Sequence, residues 1–260
     1  MTGGNLHVDT PVTVSVIMPA YNAERYIEAA IRSVMCQSLE SWELIVIDDC
    51  SRDATVAVAE RLAREDPRIR VLRNEENLGV AKTRNRGLDL CRGDYAALLD
   101  SDDLWYPEKL ASQVALARAT GADILYCSYA IVDQDGVKKC DDFIVPEATD
   151  FDASLIQSVI SCSTALLSRR LVDRYRFDST YYHEDLALWL RMLGDGYSAR
   201  GNQEVLAAYR VMDGTRASNK LKSAARRWQI YRNMLHFSPV RSAKLLMQYG
   251  LLGLKKYKKA

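Results

Sequence analysis

Residues 12–49 read VTVSVIMPAYNAERYIEAAIRSVMCQSLESWELIVIDD, and the fold is decided there. Val12–Met18 is an apolar strand closed by Pro19. Glu24–Gln37 follows with Ile27, Ala30, Ile31 and Val34 at the spacing of one helical face. Glu43–Ile47 (ELIVI) is a second apolar strand, and it ends at Asp48-Asp49. Two apolar strands joined through a helix predict parallel neighbours covered on both faces, not a hairpin.

Outward from this unit the alternation continues. Asp53–Glu65 is helical, with Val56, Ala59, Leu62 and Ala63 on one face. Arg68–Leu72 (RIRVL) is a strand, Val80–Cys91 a helix, and Tyr95–Leu99 (YAALL) a strand running into Asp100-Ser101-Asp102-Asp103. Pro107 opens a helix to Thr120, and Asp123–Tyr129 is a fifth strand. After Tyr129 the pattern loosens. A hairpin is expected over Ile131–Val145 with its turn at Asp135-Gly136, a strand over Ser161–Leu167, a helix over His183–Leu193 and a short strand over Val205–Val211. A basic helix spans Ser218–Phe237, Ser238-Pro239 breaks it, and a second helix carries Leu245, Leu246, Leu251, Leu252 and Leu254. The fold class is therefore α/β: a mostly parallel sheet flanked by helices over 1–215, with a basic helical extension over 216–260.

The 260 residues are 48% apolar and 27% charged, with a formal net charge of +1, which excludes a disordered chain or a multi-pass membrane protein. That balance hides an asymmetry. Residues 216–260 hold 12 Lys and Arg and no Asp or Glu, leaving 23 basic against 34 acidic residues in 1–215. An acidic body with a basic tail suggests chemistry in the body and attraction to an anionic partner at the end. Cys36, Cys50, Cys91, Cys127, Cys140 and Cys162 show no C-x-x-C spacing, so neither a zinc site nor a redox motif is indicated. The first residues, MTGGNLHVDTP, lack the charged start and apolar stretch of a signal peptide, and a cytoplasmic protein with reduced thiols is expected.

The polar clusters fall where strands end: Pro19-Ala20-Tyr21-Asn22, Asp48-Asp49, Asn74–Asn77 and Asp100–Asp103. In such sheets ligands bind beyond the carboxyl ends of the strands. Three carboxylates in four residues repel one another unless a cation compensates, and Mg²⁺ or Mn²⁺ is held by one or two carboxylates plus water and substrate phosphates. The other reading is an acidic loop capping the Pro107 helix. Asp48-Asp49 can hydrogen-bond a base or ribose, or begin the next helix with Ser51 and Asp53. No glycine-rich phosphate loop is present, so phosphates would be neutralised by a metal together with Lys82 or Arg84.

VSVIMPAYNAERYIEAAIRSV, LIVIDDCSRD, NLGVAKTRNRGL, LLDSDDLW and HEDLALWLRM, in this order, resemble the family 2 glycosyltransferases over residues 12–212. The resemblance implies a GT-A, Rossmann-like fold and a nucleotide-diphosphate sugar donor, UDP-sugar before dTDP- or GDP-sugar. It implies that Pro19, Ala20 and Tyr21 line the nucleoside pocket and Asp49 binds the base, with Asn77 and Lys82 beside the nucleotide. Asp100 and Asp102 match the family's D-x-D motif, Asp102 as the metal ligand for Mn²⁺ or Mg²⁺ and Asp100 nearer the ribose. Asp185 matches the catalytic base, and Glu184, His183 and Arg191 fall on the acceptor side. The Q-x-x-R-W motif and membrane helices of processive members are absent from the sequence, so one sugar per encounter is expected. Many small members carry a His where this chain reads Tyr209-Arg210-Val211-Met212-Asp213, which leaves that role open.

The expected function is inverting, metal-dependent transfer of one sugar to a glycan or lipid-linked oligosaccharide in cell-surface polysaccharide or lipopolysaccharide synthesis. Arg226, Arg227, Lys255, Lys256, Lys258 and Lys259, punctuated by Trp228, Tyr231, Tyr249 and Tyr257, suggest peripheral contact with an anionic membrane at its inner face. The apolar stretch Leu245–Leu254 is too short to cross a bilayer. The competing reading is a catalytically silent nucleotide-sugar binder or membrane-docked scaffold, against which Asp102 and Asp185 both stand. A nucleic-acid partner is not expected, because the basic patch is confined to the tail.

Overall fold

The computed structural model describes residues 12–211 and 220–257, the side chains of 220–222 and 253–257 excepted. Strand β1 (Val14–Ala20) is buried along its whole length, so its alternating side chains feed two apolar layers. Val14, Val16 and Met18 pack with helices α1 (Ile27–Met35) and α2 (Thr55–Glu65) on one face. Ile17 packs on the other face with α3 (Val80–Asp89). The buried residues of α1 are Ile27, Ala30, Ile31 and Val34, the four that the sequence spacing selects. Gly87 lets α3 close on β1, since a Cβ there would stand 2.4 Å from Ile17 Cγ2.

β2 (Trp42–Asp48) lies parallel to β1, with Ala20 opposite Asp48, and β3 (Ile69–Arg73) extends the sheet beyond it. β4 (Tyr95–Leu98) lies parallel to β1 on its other side, giving the order β3-β2-β1-β4. α1 and α2 cover one face and α3 the other, so the winding reverses between β1 and β4. A crevice opens beyond the carboxyl ends of strands at such a switch point.

Past β4 the pairing becomes mixed. After β5 (Leu104–Trp105) and α4 (Lys109–Thr120), β6 (Ile124–Val132) runs parallel to β9 (Ala199–Arg210). β8 (Leu166–Ser168) joins β4 to β6, antiparallel to both. β5 and β7 (Ala148–Thr149) pair antiparallel with β9. The segment expected as a strand over Ser161–Leu167 is instead a 3-10 turn, Cys162–Thr164, ahead of the short β8. Thr164 Oγ1 donates to the Ser161 carbonyl at 2.8 Å and the Ser163 hydroxyl leaves the ladder for a carboxylate, the local competition that hydroxyl side chains offer to a strand. β9 is twelve residues rather than seven, because β6 pairs along it through an irregularity at Ser128. The expected hairpin survives as two isolated bridges, Tyr129 with Phe143 and Val132 with Lys138.

Helices α5 (Phe151–Ile156) and α6 (Arg169–Arg174) precede α7 (Glu184–Gly194). The tail forms α8 (Lys220–Gln229), which passes into a wider turn of π type over Ile230–Met234, and α9 (Pro239–Tyr257). Ile230 and Tyr231 pack against Leu155, Leu186 and Leu190 of α5 and α7. Arg227 is buried beneath α9 and donates to the Ser154 and Leu155 carbonyls at 3.3 and 2.5 Å and to Ser158 Oγ at 2.7 Å, satisfying the end of α5. Lys258 and Lys259, Met212 and Asp213, the N-terminal MTGGNLHVDTP, and the side chains of Leu254, Lys255, Lys256 and Tyr257 lie outside the described residues. All six cysteines are free thiols.

Candidate active site

Four chain segments meet at the crevice. At the end of β1, Pro19 and Ala20 are buried, and Tyr21 is 50% exposed at the rim. Asn22 adopts a left-handed backbone (φ 48°), its Oδ1 accepting from Arg52 N and its own N–H donating to Ser51 Oγ, both at 2.9 Å. The turn after β1 is thereby locked to the turn after β2.

At the end of β2 the buried Asp49 carboxylate accepts from Asn74 Nδ2 at 2.7 Å and from the Leu78 and Gly79 N–H groups at 2.8 Å. Asn77 Nδ2 donates to the Asp49 carbonyl at 3.0 Å. Asp49 thus holds the loop that feeds α3, and Gly79 takes the positive φ of 81° that the entry to this helix requires. A carboxylate offers about four acceptor positions, so one remains for a ligand donor. Asp48 accepts from Ser51 N and pairs with Arg73 at 3.2 Å. Asn77 and Lys82 are exposed along the same edge.

Asp100–Asp103 follow β4. Asp103 is buried and takes Ser163 Oγ at 2.5 Å and Arg210 N at 2.8 Å. Burial, then the charges of Asp102 and Asp100, push its pKa well above the usual carboxylate range. Arg210 Nε donates to the Asp102 carbonyl at 2.8 Å, and its Nη1 to the Asp133 and Gln134 carbonyls at 3.0 Å. Asp102 is pushed up to about 6, by burial first and the Asp100 charge second. Among the described residues no cation forms an ion pair with it. These aspartates do not cap α4, whose N-cap position is Glu108.

The fourth segment is the start of α7, with Glu184 and Asp185 in its first turn. One buried guanidinium ties it to β4: Arg84 Nη2 meets Asp100 at 2.6 Å and Nη1 meets Glu184 at 3.0 Å. Burial pulls the Arg84 pKa down, but Asp100, Cys162 and Glu184 outweigh it and raise it, so the group stays charged. Asp185 is half-buried, and its Oδ1 accepts from Leu186 N at 2.7 Å. Cys162 lies under the same cluster, its thiol pushed up by burial, against the pull of Arg84 and with the carboxylates of Asp185, Asp100 and Glu184 adding to the rise.

His183 Nε2 lies 3.1 Å from Ser223 Oγ, and the Arg226 guanidinium sits 3.0 Å over the Tyr182 ring, so α8 borders the site beside the Asp185 carboxylate. Arg191 is not brought there. It lies in the last turn of α7, its Nη1 3.5 Å from the Arg176 carbonyl, and it lines a separate cleft of about 540 Å³. Six residues along an α-helix separate two side chains by about 9 Å and turn them to different faces. A larger cleft of about 830 Å³ between α4 and the start of β9 contains none of these groups.

The sequence offered Arg84 as a cation for phosphate, whereas the structure buries it between Asp100 and Glu184; Ala81, Arg84 and Leu88 recur at helical spacing on the buried face of α3. Ser163 carried no signal and Arg210 only lay in a stretch whose role the sequence left open, since both roles depend on β8 and β9 closing over the acidic loop. The oxygen donors of Asp100 and Asp102 suit a hard divalent ion. Among the described residues no three His, Cys, Asp or Glu are grouped to cage a metal.

A GT-A sheet with a D-x-D pair at its switch point and an acidic helix start facing it is the architecture of a glycosyltransferase. Residues 15–176 match glycosyl transferase family 2, and the chain belongs to that family. A putative teichuronic acid biosynthesis glycosyltransferase of Bacillus subtilis, TuaG, is 37% identical over 94% of this chain and 96% of its own length. The Escherichia coli UDP-Glc:alpha-D-GlcNAc-diphosphoundecaprenol beta-1,3-glucosyltransferase WfgD is 34% identical, covering 94% of each chain. Among solved structures, S. aureus TarS with UDP-GlcNAc superposes with a TM-score of 0.73 at 21% identity, over 92% of this chain and 71% of that one. The Pyrobaculum calidifontis mannosyltransferase PcManGT with GDP-Man and Mn²⁺ gives 0.69 at 18% identity, over 92% and 69%.

Proposed function

We propose that this chain moves a single sugar from a nucleotide-diphosphate sugar, a UDP-sugar first among them, to a lipid-linked glycan with inversion at the anomeric carbon. The observation that carries the reading is the Arg84 guanidinium paired with both Asp100 and Glu184, a link that supports one site shared by the D-x-D loop and the acidic helix start. The donor class is supported by the UDP-GlcNAc held by TarS and by the UDP-Glc in the name of WfgD, and the acceptor class by the diphosphoundecaprenol in that name. The partner of the basic tail is the anionic face of the cytoplasmic membrane, where such acceptors are met. The setting is cell-surface polysaccharide or lipopolysaccharide synthesis, with 1–215 as the catalytic unit and 216–260 as its extension.

Pro19, Ala20 and Tyr21 line the nucleoside pocket, and the remaining acceptor position of Asp49 takes a base N–H. Asn77 and Lys82 lie beside the nucleotide, and Lys82 is placed to offset diphosphate charge. Asp100 faces the ribose, and Asp102 holds Mn²⁺ or Mg²⁺, for which PcManGT offers a precedent. When bound, such an ion supplies Lewis-acid stabilisation to the leaving diphosphate. Asp185 takes the proton of the acceptor hydroxyl as the new bond forms. Glu184, fixed by Arg84, and His183 border the acceptor. One base acting on the face opposite the leaving group gives inversion, the geometric logic of single displacement at a sugar carbon.

The test is nucleotide release from a panel of nucleotide sugars with a lipid-linked acceptor, with Mn²⁺ and with chelator. Asp185→Asn is expected to lower kcat by roughly 10²–10⁴-fold with donor KM little changed. Full turnover in Asp185→Asn, or turnover indifferent to chelator, would overturn the assignment.

A further inference from the structure

The inner side of α9 is occupied: Ser242 is fully buried, Leu245 and Leu246 join the apolar cluster on α5 and α7, and the Tyr249 ring covers Arg227 at 4.3 Å. The opposite side carries Val240, Met247 and Leu251, which are 80%, 62% and 55% exposed. At about 100° per residue these three fall within about 40° of one another, so they form one stripe along the helix. Lys244 and Arg241, both exposed, border it on one side. The sequence continues into Lys255, Lys256, Lys258 and Lys259, and from 216 to 260 it contains no Asp or Glu. A helix buried on one side needs no apolar residues on the other, so this stripe calls for a partner.

We infer that the outward face of α9 lies in the plane of an anionic lipid bilayer, with Val240, Met247 and Leu251 entering the headgroup–acyl boundary and the flanking cations meeting lipid phosphates. The apolar stripe bordered by cations is the pattern of an interfacial helix. No helix among the described residues is long and apolar enough to cross a membrane, which suits a helix that lies on one. A second copy of this chain is a poorer occupant. Pairing two such faces would gather Arg241 and Lys244 of both copies into one interface, and the tail offers no carboxylate to relieve them. A nucleic-acid backbone would use the cations but leave the central stripe unmatched.

The placement gives this surface a use. α9 rests on α5 and α7, and α8 reaches from it to His183 and Tyr182 beside the proposed base. A bilayer under α9 therefore stands at a fixed position relative to the start of α7. That use rests on the proposed lipid-linked acceptor, whereas the binding surface itself does not.

The experiment is flotation of the full chain with vesicles of phosphatidylcholine alone or mixed equally with phosphatidylglycerol, comparing wild type with Met247→Glu/Leu251→Glu. Wild type is expected to float with the anionic vesicles only, less so as salt is raised, and the double variant to bind at least about tenfold more weakly. Both positions are exposed, so the melting temperature should be unchanged. Nucleotide release with a water-soluble acceptor should also be unchanged, which separates failure of this surface from failure of the catalytic reading. Absence of vesicle binding by wild type, equal binding by the double variant, or a wild-type dimer that the double variant dissolves would each overturn the inference.

Discussion

β2 and β4 flank β1, and each ends in a cluster of aspartates, yet the two clusters stand in opposite electrostatic condition. After β2 the chain answers its own carboxylates: Asp49 takes three donors from the loop before α3, and Asp48 takes Ser51 N and Arg73. After β4 it does not. Asp103 is held by a hydroxyl and a backbone N–H, Asp102 has no paired cation among the described residues, and Arg84 is shared between Asp100 and Glu184. Burial first, and then the neighbouring aspartate charges, raise the pKa values of Asp102 and Asp103. One cluster is answered largely from within the chain; the other is left short of cations, as the proposed metal site requires, and the same two-letter motif in sequence covers both.

The largest expected effect separates the two clusters by activity. Asp102→Asn should lower kcat/KM by roughly a thousandfold, about 4 kcal/mol of transition-state stabilisation, and remove the response to added metal. Its thermal stability should stay level or rise, because a like charge beside Asp100 is removed. Turnover and melting curves on the same sample check it, and a variant that loses both together would erase the contrast. Next comes the guanidinium that joins the cluster to α7. Arg84→Met leaves two carboxylates without their shared partner, and a loss of about 3 kcal/mol in denaturant unfolding is expected. Arg84→Lys should recover part of the stability but not the rate, since an ammonium cannot fork to both acids.

Asp49→Ala should behave in the other way. Two backbone N–H groups and Asn74 lose their acceptor, so about 2 kcal/mol of stability is expected to go. With the loop before α3 loosened, donor KM should rise several-fold while kcat at saturation holds, a split that steady-state kinetics resolves. A collapse of kcat with normal stability would mean that Asp49 belongs with the β4 cluster after all.

Much of this was legible beforehand because β1, β2 and β4 are buried along nearly their whole length and the helices between the strands carry one-sided spacing. The order of the strand-end turns followed from that alternation, and the D-x-D and Glu184-Asp185 motifs lie where Arg84 joins them. Beyond β4 the signals failed where tertiary pairing overrides local pattern. The polar run Ser161–Thr164 became a turn because Ser163 serves Asp103 and Asp100 N, and β9 grew to match β6. Arg191 shared a helix with Asp185, but only the register of α7 tells that it faces elsewhere. Arg84 was readable from its buried helical position yet needed the 100-residue contact to Glu184 before its role emerged.

A buried charge without a counter-charge is not by itself the mark of a site, and Lys109 sharpens the comparison from the opposite sign. Its fully buried ammonium donates to Gln113 at 2.8 Å and rests 3.9 Å from the Trp105 ring, and no carboxylate pairs with it among the described residues. Gln113 and Trp105 in turn donate to the Thr164 and Ser163 carbonyls, so the amine braces the turn behind the acidic loop. Burial lowers its pKa from 10.5 to about 8. Below about 8 the amine is protonated in both folded and unfolded chains, and it adds no pH dependence. Between about 8 and 10.5 the unfolded chain binds the extra proton, so folded stability rises with pH through this group. Wild type measured against Lys109→Met should therefore gain with pH, by up to about 1.4 kcal/mol per unit in that window and nothing below it. Denaturant unfolding of both proteins at about pH 7 and about pH 9.5 reads the difference, and taking the difference cancels the tyrosine and cysteine titrations common to both chains. A gap between the two proteins that stays constant with pH would show that the amine is already matched in charge, and the distinction between finished and unfinished clusters would then rest on the β4 aspartates alone.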